Sequence, residues 1–82
     1  MTQTTESPNV RIDARELRRR RKLQGDTQTS LAAKCEIADS YVSLIETGTR
    51  KTIGPAVFAK LCDALGIDKA HRAELMLTEE AA

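Results

Sequence analysis

The chain has 82 residues, 40% hydrophobic and 30% charged, with a formal net charge of +1. That length holds one hydrophobic core rather than two, and the composition is that of a folding globular domain, which excludes a multidomain enzyme, a disordered tail and a membrane span. With one Tyr, one Phe and no Trp, the core is aliphatic, and the stacking platforms of single-strand binders are excluded as well. The near-neutral charge hides an asymmetry: residues 1 to 51 carry +3 and residues 52 to 82 carry −2. The segment from Arg11 to Lys22 alone carries +5, including the run Arg18, Arg19, Arg20, Arg21, Lys22. Such a run suits a polyanion, although an arginine-rich helix is more often just a solvated face.

In chain order, residues 1 to 12 are polar and read as a flexible arm, with Val10 and Ile12 as its docking points. Asp13 followed by Glu16 has the spacing of a capped start, and predicts a first helix over about Ala14 to Leu23 with Leu17 and Arg21 on one face. Gly25 and Asp26 break it. Thr27 caps a second helix from Gln28 to Cys35, with Leu31 and Cys35 four residues apart on one side. A third helix starts near Ala38 or Asp39, turns Val42 and Ile45 inward and Ser40, Ser43, Leu44 and Thr47 outward, and stops at Gly48. Thr49 to Ile53 read as a loop. Gly54 and Pro55 open a fourth helix with Val57, Phe58, Leu61, Cys62 and Leu65 as its apolar face, ending at Gly66. Asp68 caps a short fifth helix through Leu77, and residues 78 to 82 form a polar tail. No segment carries a strand signal. The fold class is therefore all-α.

Cys35 and Cys62 lack CxxC spacing and stand far from His71, so no metal or other cofactor is expected, and both thiols read as core filler in a reducing compartment. Met1 to Asn9 contain no apolar stretch, which reads as a cytoplasmic protein without a signal peptide. No nucleophile with a base and no glycine-rich phosphate loop is present, so an enzyme is not expected.

Gln28 to Lys51 carry the most information. Two short helices cross closely only where the contact is small, which Ala32 supplies, and where an apolar residue plugs the corner, which Ile37 supplies. The second helix of the pair then projects short polar side chains into solvent, the geometry by which a helix-turn-helix enters the major groove. Gln28-x-x-Leu31-Ala32, Ile37, Ser40-Tyr41-Val42-Ser43-x-Ile45-Glu46-x-Gly48-x-Arg50 and Ala64-Leu65-Gly66 together resemble the lambda-repressor-like (Cro/XRE) helix-turn-helix family, over about residues 13 to 67.

The resemblance implies a compact five-helix domain over residues 13 to 77, with its motif at 28 to 47, that binds double-stranded DNA. It implies a homodimer on an inverted-repeat operator and a transcriptional regulator, most simply a repressor, of bacterial, plasmid or phage type. Asp39, Ser40 and Leu44 fall at the family's base-contacting positions, with Ser43 beside them. Gln28, Tyr41, Thr47, Thr49, Arg50 and Lys51 fall where phosphate contacts are expected. Glu46 falls where the family pairs a carboxylate with an arginine of the first helix. Arg21 is the expected partner, or Arg18 if the intervening turn is longer.

Three positions depart from the family: Glu36 where Gly is frequent, Ala38 where Ser or Thr would cap the third helix, and Asp26 where an apolar residue is usual. With no room for a further oligomerisation domain, Leu75, Met76 and Leu77 are the dimer candidates. The competing reading is an antitoxin or other protein-interaction module with the same fold, docking a protein partner through the arm. No membrane partner is expected.

Overall fold

A computed structural model of the chain describes residues 9–77. Its order is β1 (Val10–Arg11), α1 (Ala14–Gln24), α2 (Gln28–Cys35), α3 (Asp39–Glu46), β2 (Thr52–Ile53), α4 (Pro55–Ala64) and a fifth helix of 3-10 type (Lys69–Leu75). Asp13 caps α1 by accepting from the backbone N–H groups of Arg15 and Glu16. Gly25 ends α1 at a φ of 83°, a left-handed conformation that costs glycine nothing. Pro55 opens α4 from its first turn, where a missing N–H is harmless.

One aliphatic core lies between the helices. Leu17, Leu31, Cys35, Val42, Ile45, Ile53, Leu61, Cys62 and Leu75 are its fully buried side chains, with Ala32 at the small contact of α2. Ile37, half-buried, packs against it from the turn between α2 and α3. Both cysteines are free, and burial pushes their thiols up from the ordinary value, which keeps them protonated and unreactive.

The amino-terminal segment corrects one expectation. Val10 and Arg11 pair antiparallel with Ile53 and Thr52, and Ile12 bridges to Met76, so a small sheet is present where no strand was expected. Two-residue strands show no alternation a sequence could display; backbone pairing with the segment after α3 creates them. Ile12 is buried and Val10 packs against the core, so these two residues dock the segment where the sequence expects its docking points. The remainder of that arm, residues 1 to 8, lies outside the described residues, as does the tail 78 to 82.

The fifth helix also differs from expectation. It stops at Leu75, because Met76 turns extended to bridge Ile12 and Leu77 donates its N–H to the Arg11 carbonyl at 3.0 Å. Asp68 stands at its start without capping it, since its carboxylate pairs instead with the His71 ring at 2.6 Å. Leu75 is 0% exposed and belongs to the domain's own core, which removes it from the dimer candidates. Met76 and Leu77 remain 40% and 42% exposed.

Candidate nucleic-acid interface

The site is built on α2 and α3. At the start of α2, Thr27 Oγ1 accepts from the Ser30 N–H at 3.0 Å, and Ser30 Oγ accepts from the Thr27 N–H at 2.9 Å. This reciprocal box satisfies two helix-end donors locally. Asp26 extends it, accepting from Lys34 Nζ and Ser30 Oγ, each at 2.9 Å, and those bonds hold its carboxyl below the ordinary aspartate value. An apolar residue at position 26 would make none of them. Asp26, Ser30 and Lys34 recur at four-residue spacing in the sequence, with Asp26 one residue ahead of the Thr27 cap.

The corner between the helices is less well provided. Glu36 ends α2 at a φ of 60°, in the left-handed region where a side chain is strained. Ala38 occupies the N-cap of α3 with extended backbone and no side-chain hydrogen bond. The two departures from the family thus stand where a glycine and a hydroxyl would have helped.

The far end of α3 is anchored by charge. Arg21 Nε donates to Glu46 Oε2 at 2.6 Å and Arg21 Nη2 to Oε1 at 3.0 Å, while Nη1 donates to the Asp26 carbonyl at 2.9 Å. Arg21, not Arg18, makes the pair. Its side chain is 11% exposed and that of Glu46 only 4%. Burial pushes the Glu46 carboxyl up, but bonds from Arg21 and Gln28 outweigh it and hold the group below the ordinary glutamate value. Gln28 Nε2 reaches Oε1 at 3.1 Å, so the residue expected to face phosphate turns its amide inward to the ion pair.

With Val42, Ile45 and Glu46 buried, α3 exposes Asp39, Ser40 and Leu44, and Thr47 follows at its end; Ser43 is half-buried. Asp39 accepts from Thr29 Oγ1 at 3.3 Å, tying the outer faces of α2 and α3 together. Gly48, at a φ of 83°, turns the chain, and Arg50 returns its N–H to the Leu44 carbonyl at 3.0 Å. Thr47 and Thr49 share a hydroxyl contact of 3.0 Å, and Lys51 is exposed beside them. The Arg50 guanidinium carbon sits over the half-buried Tyr41 ring, 5.1 Å from its centroid.

The basic run of α1 divides. Arg19 and Arg20 pair with Glu16, and Arg20 also with Glu74, which binds α1 to the fifth helix. Arg18 and Lys22 instead join Gln28 and Thr47 around a concavity of about 230 Å³ over the Arg21–Glu46 pair. The sequence names Lys22 only within the basic run, and Arg18 only there and as the alternative partner of Glu46, because the i, i+4 step that places the two together is hidden in an unbroken run of five. No helix among the described residues is long and apolar enough to cross a membrane.

The family model described as a helix-turn-helix domain matches residues 14–75. Among solved structures, the restriction-modification controller protein C.AhdI from Aeromonas hydrophila is 30% identical, with a TM-score of 0.65 over 72% of this chain and 88% of that one. The clp gene regulator ClgR from C. glutamicum is 28% identical, with a TM-score of 0.64 over 74% and 78%. SinR, a master regulator for biofilm formation solved in complex with DNA, shares the fold at 24% identity and a TM-score of 0.66, over 72% and 94%. No curated protein sequence matches the chain. A family model spanning α1 to the fifth helix, a 30%-identical relative and the geometry above agree: the chain belongs to the helix-turn-helix domain family and has the lambda-repressor-like, Cro/XRE-type fold.

Proposed function

We propose that this protein is a sequence-specific double-stranded DNA-binding regulator of transcription, of bacterial, plasmid or phage type, and that it represses by occluding a promoter. One observation carries the reading: α3 is clamped from inside by Val42, Ile45 and the Arg21–Glu46 pair, while its outer side exposes Asp39, Ser40 and Leu44. A helix held this way has the width and surface to enter a major groove. The regulators that share the fold, one of them solved with DNA, support the same reading.

In it, Asp39, Ser40, Ser43 and Leu44 meet base edges: Asp39 accepts from the cytosine amine, the serines serve several bases, and Leu44 packs on a thymine methyl. Thr47, Thr49 and Lys51 hold phosphates on one side of α3. On the other side Gln28, through its backbone at the start of α2, does so with Arg18 and Lys22. Met76 and Leu77 supply the apolar contact of a homodimer on an inverted repeat, and the protein works in the cytoplasm, where Cys35 and Cys62 stay reduced.

Selection from a randomised duplex library, followed by titration of the enriched sequence across salt concentrations, tests the proposal. The expected result is an inverted repeat with half-sites about 34 Å apart, and Lys51→Ala lowering the salt slope by about one. A single enriched half-site would keep DNA reading and remove the dimer. Weak, wholly salt-dependent binding without an enriched sequence would sink the proposal and move the main role to a protein partner.

A further inference from the structure

Beside α3 lies a shallow cup of about 330 Å³ lined by Ala38, Ser40, Tyr41, Leu44 and Arg50. Its chemistry is divided. The Ala38 methyl, the Tyr41 ring and the exposed Leu44 side chain make an apolar wall, and the Arg50 guanidinium closes it. Among the described residues that guanidinium makes no hydrogen bond or ion pair; it only rests on the Tyr41 ring. Two restraints bring it there. The Arg50 N–H is bonded to the Leu44 carbonyl, and the ring contact draws the side chain back over α3.

We propose that this cup reads a 5-methylpyrimidine followed on its 3′ side by guanine, with Leu44, Ala38 and the Tyr41 ring receiving the methyl group and Arg50 donating to guanine O6 and N7. The inference rests on the reading of α3 as the DNA-facing helix and specifies what one part of it recognises. In the major groove the C5 methyl of a pyrimidine projects beside the O6 and N7 of the guanine that follows it on the same strand. A site that joins a methyl-sized apolar wall to a planar double donor is complementary to that step. The contact with the Tyr41 ring holds the guanidinium over α3 without a hydrogen bond, which leaves its donors for a planar acceptor. Arg50 is then a base reader, and the phosphate role expected from its position beside Lys51 passes to Lys51 and Thr49.

The test uses the full chain on its own selected duplex. The enriched half-site is expected to contain the pyrimidine–guanine step. Replacing its thymine with uracil should weaken binding about four-fold, the worth of one buried methyl. Replacing its guanine with 7-deazaguanine should weaken it by at least roughly ten-fold. Leu44→Ala should erase the uracil effect and leave the deazaguanine effect, and Arg50→Ala should do the reverse. A 5-methylcytosine–guanine pair in place of thymine–adenine separates the two sources of the methyl: retained affinity assigns the cup to the methyl in either base, and lost affinity assigns it to thymine.

Two results would overturn the inference while leaving DNA reading intact. One is an enriched sequence without the step. The other is an Arg50→Ala variant that weakens every sequence equally and lowers the salt slope by about one while keeping the deazaguanine effect, the signature of a phosphate contact. Failure to enrich any sequence overturns both this inference and the function on which it rests.

Discussion

α2 and α3 are both eight residues long and belong to one motif, yet their ends are secured by opposite means. α2 carries its own start: Thr27, Ser30, Asp26 and Lys34 bond within nine positions of sequence. α3 has no side-chain cap at Ala38 and follows a strained Glu36, and its firm hold comes from Arg21, 25 positions away from Glu46. The scaffold helix is stabilised locally and the exposed helix tertiarily. The start of α3, where Asp39 and Ser40 stand, therefore adjusts more easily than its end.

The sharpest way to break this contrast is to remove the anchor. Arg21→Ala leaves Glu46 buried without its partner and should cost about 3 kcal/mol, lowering Tm by roughly 12–24 °C in thermal unfolding followed by circular dichroism. An unchanged Tm would mean that α3 is held by packing alone.

Acid should remove the same anchor gradually. Because the folded Glu46 carboxyl lies below its ordinary value of 4.5, its contribution is complete above that pH and is lost as pH falls through the lower, folded value. Denaturant titrations from about pH 7 to about pH 3 should show a shallower loss in Glu46→Gln than in the parent, relative to each protein's neutral stability.

Two substitutions should narrow the contrast by repairing the corner. Ala38→Ser supplies the missing cap on backbone already extended, at φ −72° and ψ 146°, and should add about 1 kcal/mol. Glu36→Gly relieves the left-handed strain at the cost of a freer unfolded chain and an exposed contact to Lys60, for a net gain under about 1 kcal/mol. Chemical denaturation midpoints measure both. A loss of stability in Ala38→Ser would place the helix start elsewhere.

The four main helices were legible because each carries its own punctuation: Asp13 and Gly25, Thr27, Gly48, and Gly54 with Pro55. The inward residues of α3 were legible from spacing, and the core residues follow it. Less legible was how polar side chains divide their bonds. Gln28 and Glu46 are both polar residues at helix ends, and nothing local says that one turns inward to serve the other. Arg50 was placed by position beside Lys51, while its contact with Tyr41 depends on the turn at Gly48 bringing the loop back over α3.

The sequence by itself determined the helical class, the four main helices within a residue or two, the aliphatic core and the presence of a polar row on α3, because capping, periodicity and burial are properties of neighbours along the chain. Tertiary structure decided what neighbours cannot. It chose Arg21 over Arg18, made strands of Val10–Arg11 and Thr52–Ile53, buried Leu75 while leaving Leu77 outside, and set Arg50 on Tyr41. Each of those outcomes depends on groups distant in sequence meeting once the core has closed, and their partners are selected by geometry rather than by residue type.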